Sequence, residues 1–223
     1  MLQLADSALP IGSTAHSFGL ETLTVEDNLR VDQLEAFFQH FLLETGQLES
    51  CFCRLSHRLA HLPDPEQVEH QWCMLNMQLS AFKTARESRV ASATLGRRFL
   101  QLLLSLEENS LLRQALQAAR AQQVDVHYST AFGLVGATSD LDETTTVLAY
   151  LQQTLTGFVS ACQRLLPLGQ SQASSILWRL KPILIEVAHK SMSADLEELT
   201  IFTPLMDIGS MRHPLVTTRL FIS

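Results

Sequence analysis

Apolar side chains recur every three or four residues along most of this chain, the spacing of one face of an α-helix. Leu34, Phe37, Phe38, Phe41, Leu42, Leu48, Phe52, Leu55 and Leu59 form one such stripe. It predicts two helices, or a single helix interrupted near Gly46. Pro63-Asp64-Pro65 ends this segment, and Pro65 suits the first turn of a helix carrying Val68, Trp72, Leu75, Leu79 and Phe82. A helix through Leu111–Arg120 follows. Leu148, Leu151, Leu155, Phe158, Cys162 and Leu165 predict the strongest helix of the chain, stopped by Pro167. Another runs from about Ser171 to Lys190 with Pro182 inside it, where a kink or break is expected because proline lacks a backbone donor. Asp32-x-x-Glu35 and Asp140-x-x-Glu143 have the form of capping boxes. Glycine is sparse and hairpin signals are nearly absent, so the fold class is all-α, a single-domain helical bundle.

Two stretches are built for close packing. Ala91, Ala93 and Gly96 would let another helix approach, with Arg86, Arg89, Arg97 and Arg98 placing charge on other faces. Ala131-Phe132-Gly133 is the second.

Composition narrows the function more than the fold. The chain's 223 residues suit one domain, or at most two small ones. A net charge of −7 disfavours a nucleic-acid binder, which would present a basic face to phosphates. No apolar run approaches the ~20 residues of a membrane helix, and the start lacks the pattern of a secretory signal. A soluble cytosolic protein is expected. Cys51 and Cys53 are too close for a relaxed disulfide, and no C-x-x-C pair exists for zinc, so Cys51, Cys53, Cys73 and Cys162 are expected as buried thiols. His57 and His61, four residues apart, share a helix face and could chelate a metal, but no carboxylate or thiolate completes the set at helical spacing from both. There is no Gly-x-x-x-x-Gly-Lys-Ser/Thr phosphate loop, no His-Glu-x-x-His motif and no Gly-x-Ser-x-Gly elbow. No catalytic residue and no cofactor are assigned.

The segment Leu4 to Glu21 is dense in residues with special backbone roles. Asp6 and Ser7 can cap a turn, Pro10 fixes φ, Gly12 and Gly19 permit positive φ, and Ser13 and Thr14 can cap the following helix. Asp6-Ser7, Leu9-Pro10-Ile11-Gly12 and His16-Ser17-Phe18-Gly19-Leu20-Glu21 together resemble the opening of the urease accessory protein UreF family. Three later anchors are similar to the same family in the same order: Glu87-Ser88-Arg89 with Gly96-Arg97, then Arg164-Leu165-Leu166-Pro167-Leu168-Gly169-Gln170, then Arg212-His213 with the closing Arg219-Leu220-Phe221-Ile222-Ser223. Ser13-Thr14 depart from the pattern, standing where many relatives have a glycine and an aromatic residue.

The resemblance implies an all-helical, non-enzymatic homodimer that binds the accessory protein UreD (also called UreH) and recruits the GTPase UreG. The assembly would deliver nickel to apo-urease. A helical domain over 1–203 and a partner-binding tail over 204–223 are expected. By the same resemblance, Arg212, His213, Arg219, Leu220, Phe221 and Ser223 would face UreD, while Glu21, Arg164 and Gln170 would lie toward the GTPase. Two alternatives stand beside the scaffold: an activator placing Arg164 in the GTPase site as an arginine finger, and a nickel carrier using His57 and His61. The tail itself is expected to order only with its partner. Fixing its backbone costs about 1–2 kcal/mol per residue, more than burying Leu220, Phe221 and Ile222 returns at about 1.5–3 kcal/mol each.

Overall fold

A computed structural model describes residues 9–199 and 201–223. Asp6 and Ser7 therefore lie outside the described residues. The order is a short 3-10 turn (Ser13–Ala15), α1 (Leu20–Val25), a second 3-10 turn (Val31–Gln33), α2 (Leu34–Phe41), a π-helical turn (Leu42–Gly46), α3 (Gln47–Leu59), α4 (Pro65–Phe82), α5 (Arg86–Leu106), α6 (Ser110–Ala121), α7 (Tyr128–Thr138), α8 (Glu143–Leu165), α9 (Gln170–Ser191) and α10 (Pro204–Arg212). No strand occurs among the described residues. The fold is all-α, as the periodicity predicts.

The interruption at Gly46 is a π turn. It lets α2 and α3 run on as one rod while shifting the apolar stripe around the axis, so both Phe41 and Phe52 remain buried. α3 is the centre of the bundle, packed against α4, α7, α8 and α9. It can touch α7 closely because residue 133 is glycine: a β-carbon there would sit 1.9 Å from the Cys53 carbonyl oxygen. Around this contact the core holds Phe52, Phe99, Phe132, Trp72 and Leu134. All four cysteines are free and buried. Burial pushes the Cys51 thiol up to about 11 and Cys162 up to about 12, so both stay protonated near neutrality.

Local capping departs from the sequence expectation at several ends. Asp32 and Glu35 do not form a box. Gln33 instead accepts from the Arg30 backbone N–H at 2.9 Å, and Glu35 pairs with Arg179 at 2.7 Å. The cap of α8 is Asp142, which accepts from the Thr145 N–H at 2.8 Å. Asp140 takes a positive φ of 56°, and Glu143 turns away to pair with Arg58 at 2.7 Å. Ser13 and Thr14 make no side-chain cap; α1 begins directly after Gly19. Asp64 does cap α4, whose first residue is Pro65. α9 runs unbroken from 170 to 191 across Pro182. What approaches Gly96 is not a helix but the backbone of Val126 and His127, leading into α7.

That approach seats His127 in a buried polar cluster. Asn76 Oδ1 accepts from the His127 N–H at 2.9 Å and from the Thr130 hydroxyl at 2.7 Å, while the His127 ring lies 2.7 Å from Ser80 Oγ and 3.2 Å from Ser92 Oγ. Burial, reinforced by the charge of Lys83, lowers the His127 pKa to about 3. The unfolded chain therefore binds a proton at this residue below about 6.5 that the folded chain refuses until about 3, and folding loses stability as pH falls through that window. Unfolding free energies measured between pH 6.5 and 3 should fall less steeply in His127→Gln, by up to ~1.4 kcal/mol per pH unit.

Candidate partner-docking site

The opening stretch and the closing segment fold onto each other. The chain reaches this meeting through two glycines in left-handed geometry, Gly12 at φ 85° and Gly19 at φ 93°, with Phe18 at φ 51° between them. These turns bring the backbone of 15–18 alongside residues 222–223. Ile222 N–H donates to the Ala15 carbonyl at 2.8 Å, and the N–H groups of Ser17 and Phe18 both reach the Ser223 backbone oxygen. His16 Nδ1 lies 2.7 Å from the Ser223 hydroxyl. Burial, with the nearby charge of Arg98, lowers the His16 pKa, so this contact joins two neutral groups near neutrality.

Glu21 is the centre of the site. Its side chain is only 1% exposed, and three donors converge on it: His213 Nε2 at 2.7 Å, Leu220 N–H at 2.6 Å and Phe221 N–H at 3.3 Å. A carboxylate withdrawn from water needs such donors, because charge-assisted bonds must replace its hydration. All three come from the closing segment. Glu21 therefore holds that segment.

Further contacts close the same region. The Arg164 guanidinium stacks 4.3 Å over the Phe221 ring and donates to the Thr14 carbonyl at 2.7 Å. Arg212 pairs with Glu26 at 2.9 Å. α10 lies on α1 where Gly19 and Gly209 face each other: a β-carbon on Gly19 would be 2.7 Å from Ser210 N, and one on Gly209 would be 2.9 Å from the Gly19 carbonyl. Ser210 Oγ also accepts from Ser88 Oγ, on α5, at 2.7 Å.

The segment 204–223 is thus docked in the isolated chain, contrary to the expectation that it waits for a partner. Phe221 is buried, but Leu220 and Ile222 are not, at 58% and 71% exposed. Hydrophobic burial is even smaller than the sequence argument allowed. What that argument lacked is Glu21, whose carboxylate supplies attraction that an apolar balance does not count.

His16, Ser17, Gly19, Glu21, Arg164, His213, Leu220, Phe221 and Ser223 are brought together here, with Gly12 in the turn before them. Pro10 is exposed at the approach. Arg219 is exposed. Gln170 stands at the exposed start of α9, accepting from Gln163 Nε2 at 2.8 Å. Gly209 and Glu26 escaped sequence reasoning; the only signal for Gly209 is a lone glycine within a short apolar helix. Among the described residues no group of three or more His, Cys, Asp and Glu side chains gathers as a metal site. His57 Nε2 is bonded to the Leu141 carbonyl at 2.8 Å.

Anchored in this way, the closing segment turns apolar side chains outward. Leu205, Ile208 and Met211 line the outer face of α10 at 49–55% exposed, flanked by Phe202 at 79% and Leu215 at 76%. The fold and site define an all-helical protein whose closing segment is latched to the opening stretch and turns apolar side chains outward. The model of the UreF family matches residues 30–181. Over 225 aligned residues, spanning the whole chain and 94% of the relative, the sequence is 32% identical to urease accessory protein UreF of Haemophilus influenzae. It is 30% identical to that of Actinobacillus pleuropneumoniae serotype 5b, covering 97% of the relative, and 32% identical to that of Nostoc sp., covering 94%. The chain belongs to the UreF family of urease accessory proteins. The match to the family model ends before the closing segment, whereas the full-length relatives span both halves of the latch.

Two substitutions probe the latch. Glu21→Ala should release the segment while the bundle stays folded; the amides of Leu220 and Phe221 then exchange at rates near those of an open chain, read by hydrogen–deuterium exchange. Gly19→Val should cost about 1–2 kcal/mol for positive φ and about 1–3 kcal/mol more for crowding α10, seen as a lower denaturation midpoint.

Proposed function

We propose that this protein is a non-enzymatic scaffold of urease maturation. It binds UreD (UreH) and recruits the GTPase UreG, so that nickel reaches apo-urease. It acts as a homodimer in the cytoplasm. The observation that carries the partner-binding part is the apolar face over 202–222. Large exposed apolar side chains recur along it, on a segment already fixed by Glu21. Monomeric proteins seldom expose such a patch unless something covers it. A docked segment also binds without first being ordered, which lowers the entropic cost of association.

UreD is our assignment for this face, following the resemblance of the closing Arg212-His213 and Arg219-Leu220-Phe221-Ile222-Ser223 to the UreF family ending. Glu21 acts on the partner indirectly, by holding the segment in place. Arg164 is engaged with Phe221 and Thr14, which favours a positioning role over that of an arginine finger. Gln170 and the exposed end of α8 form the side assigned to the GTPase.

The test is co-expression with UreD, UreG and apo-urease, followed by affinity purification and an assay of urease activity. The wild-type chain should retain UreD and UreG and yield active urease. Ile208→Asp and Leu215→Asp should lose UreD by about tenfold or more in affinity, with an unchanged helical circular dichroism spectrum. Light scattering should give about twice the 24.9 kDa chain mass. A scaffold leaves the GTP turnover of UreG unchanged, or slows it, in the presence of this chain. A rise that Arg164→Ala removes would instead establish an activator.

A further inference from the structure

Beneath the start of α10 lies a cavity of ≈ 130 Å³. Its walls are largely aromatic and aliphatic: the rings of Phe18 and Phe41 pack on Phe158 with centroids 5.6 and 4.9 Å away, joined by Leu48 and Leu95. Its floor is polar. Glu49 and Lys83 form a buried ion pair there, 8% and 13% exposed, and the Tyr150 hydroxyl donates to Glu49 at 3.3 Å. Burial alone would raise the Glu49 pKa, but the adjoining Lys83 ammonium outweighs it and holds it low, so the two charges cancel. Ile201, Thr203, Met206 and Asp207 form the roof.

A glycine keeps this space open. Gly157 lies in the middle of α8 and lines the cavity, and a β-carbon built on it meets nothing within 4 Å. Gly96, Gly133, Gly136 and Gly209 are each pressed by a neighbour's atoms closer than 3 Å, and Gly46 in the π turn has neighbours at 3.4–3.5 Å. Glycine is the least favourable residue for a helix interior after proline, and at 157 no packing contact requires it. A void of this size with apolar walls matches cavities that take up a benzene-sized molecule.

We infer that the cavity is a binding site for a small uncharged amphiphile, a ring-sized apolar body carrying one hydroxyl or amide head. The body fits among Phe18, Phe41 and Phe158. The head meets the Glu49–Lys83–Tyr150 floor, which offers both a donor and an acceptor. Glu49 and Lys83 are already paired with each other, so a ligand ion of either sign finds no unpaired partner on the floor and loses its hydration among the apolar walls, which disfavours a net charge. Because residues of α10 form the roof, an occupant also braces the docking segment. The site is independent of which proteins bind that segment.

The test uses three probes of one shape, benzyl alcohol, benzylamine and benzoate, titrated into the full chain and followed by NMR. Benzyl alcohol should give saturable shifts at Gly157, and intermolecular NOEs from its ring protons to Phe158 and Met206. Benzylamine and benzoate should bind at least about tenfold more weakly. Gly157→Leu, which fills the space, should weaken benzyl alcohol by at least about tenfold, while Gly157→Ala should keep binding and raise the melting temperature. Non-saturating shifts, NOEs to other residues, or benzoate binding as tightly as the alcohol would each overturn the assignment. So would unaltered binding to folded Gly157→Leu.

Discussion

A carboxylate that is 1% exposed has to find donors inside the protein, and Glu21 finds them in residues 192, 199 and 200 positions away along the chain. Removing a carboxylate from water is costly unless several hydrogen bonds replace its hydration shell. That requirement ties the two ends of the sequence together. It fixes the direction of α10 and sets which side chains of 204–223 face inward. Phe221 is carried under Arg164, and Leu205, Ile208, Met211 and Leu215 are left facing out. The geometry of the opening stretch serves the same end, since the left-handed turns at Gly12 and Gly19 aim the chain at Ser223 and let α10 lie close to α1.

The bundle behind the latch is organised around a second close contact, α3 against α7 at Gly133. Two sets of polar residues in the core pair among themselves. Asn76, Thr130, His127 and Ser80 form one set, and Glu49, Lys83 and Tyr150 another. Both sets border α5 and α7, and the second borders the cavity under α10. Buried polar groups satisfied in this way favour one arrangement of the core, because any slip leaves a donor or acceptor unpaired.

The outward apolar face and its support have different physical characters. The support is polar, directional and internal. The face is apolar and directed outward. A partner covering it would add hydrophobic burial to a segment whose backbone cost is already met. The arrangement belongs to a chain of the UreF family of urease accessory proteins.

The hydrophobic period by itself determined the all-α class and the helices over 34–59, 65–82, 143–165 and 170–191, because amphipathic spacing is a local property that the packed core merely exploits. The positive φ of Gly12 and Gly19 and the interruption at Gly46 were legible for the same reason. Helix caps were less so. Asp32-x-x-Glu35 and Asp140-x-x-Glu143 have the right letters, but Arg179 and Arg58 draw the glutamates away, and those arginines are distant in sequence. The family motifs marked Glu21, His213 and Phe221 as functional without showing that they meet. Only the tertiary structure decided that Glu21 is buried, that the closing segment is docked on it, and that Gly157 opens onto a cavity. Each of these depends on which residues from remote parts of the chain become neighbours, and on a buried charge whose cost exists only once the fold excludes water.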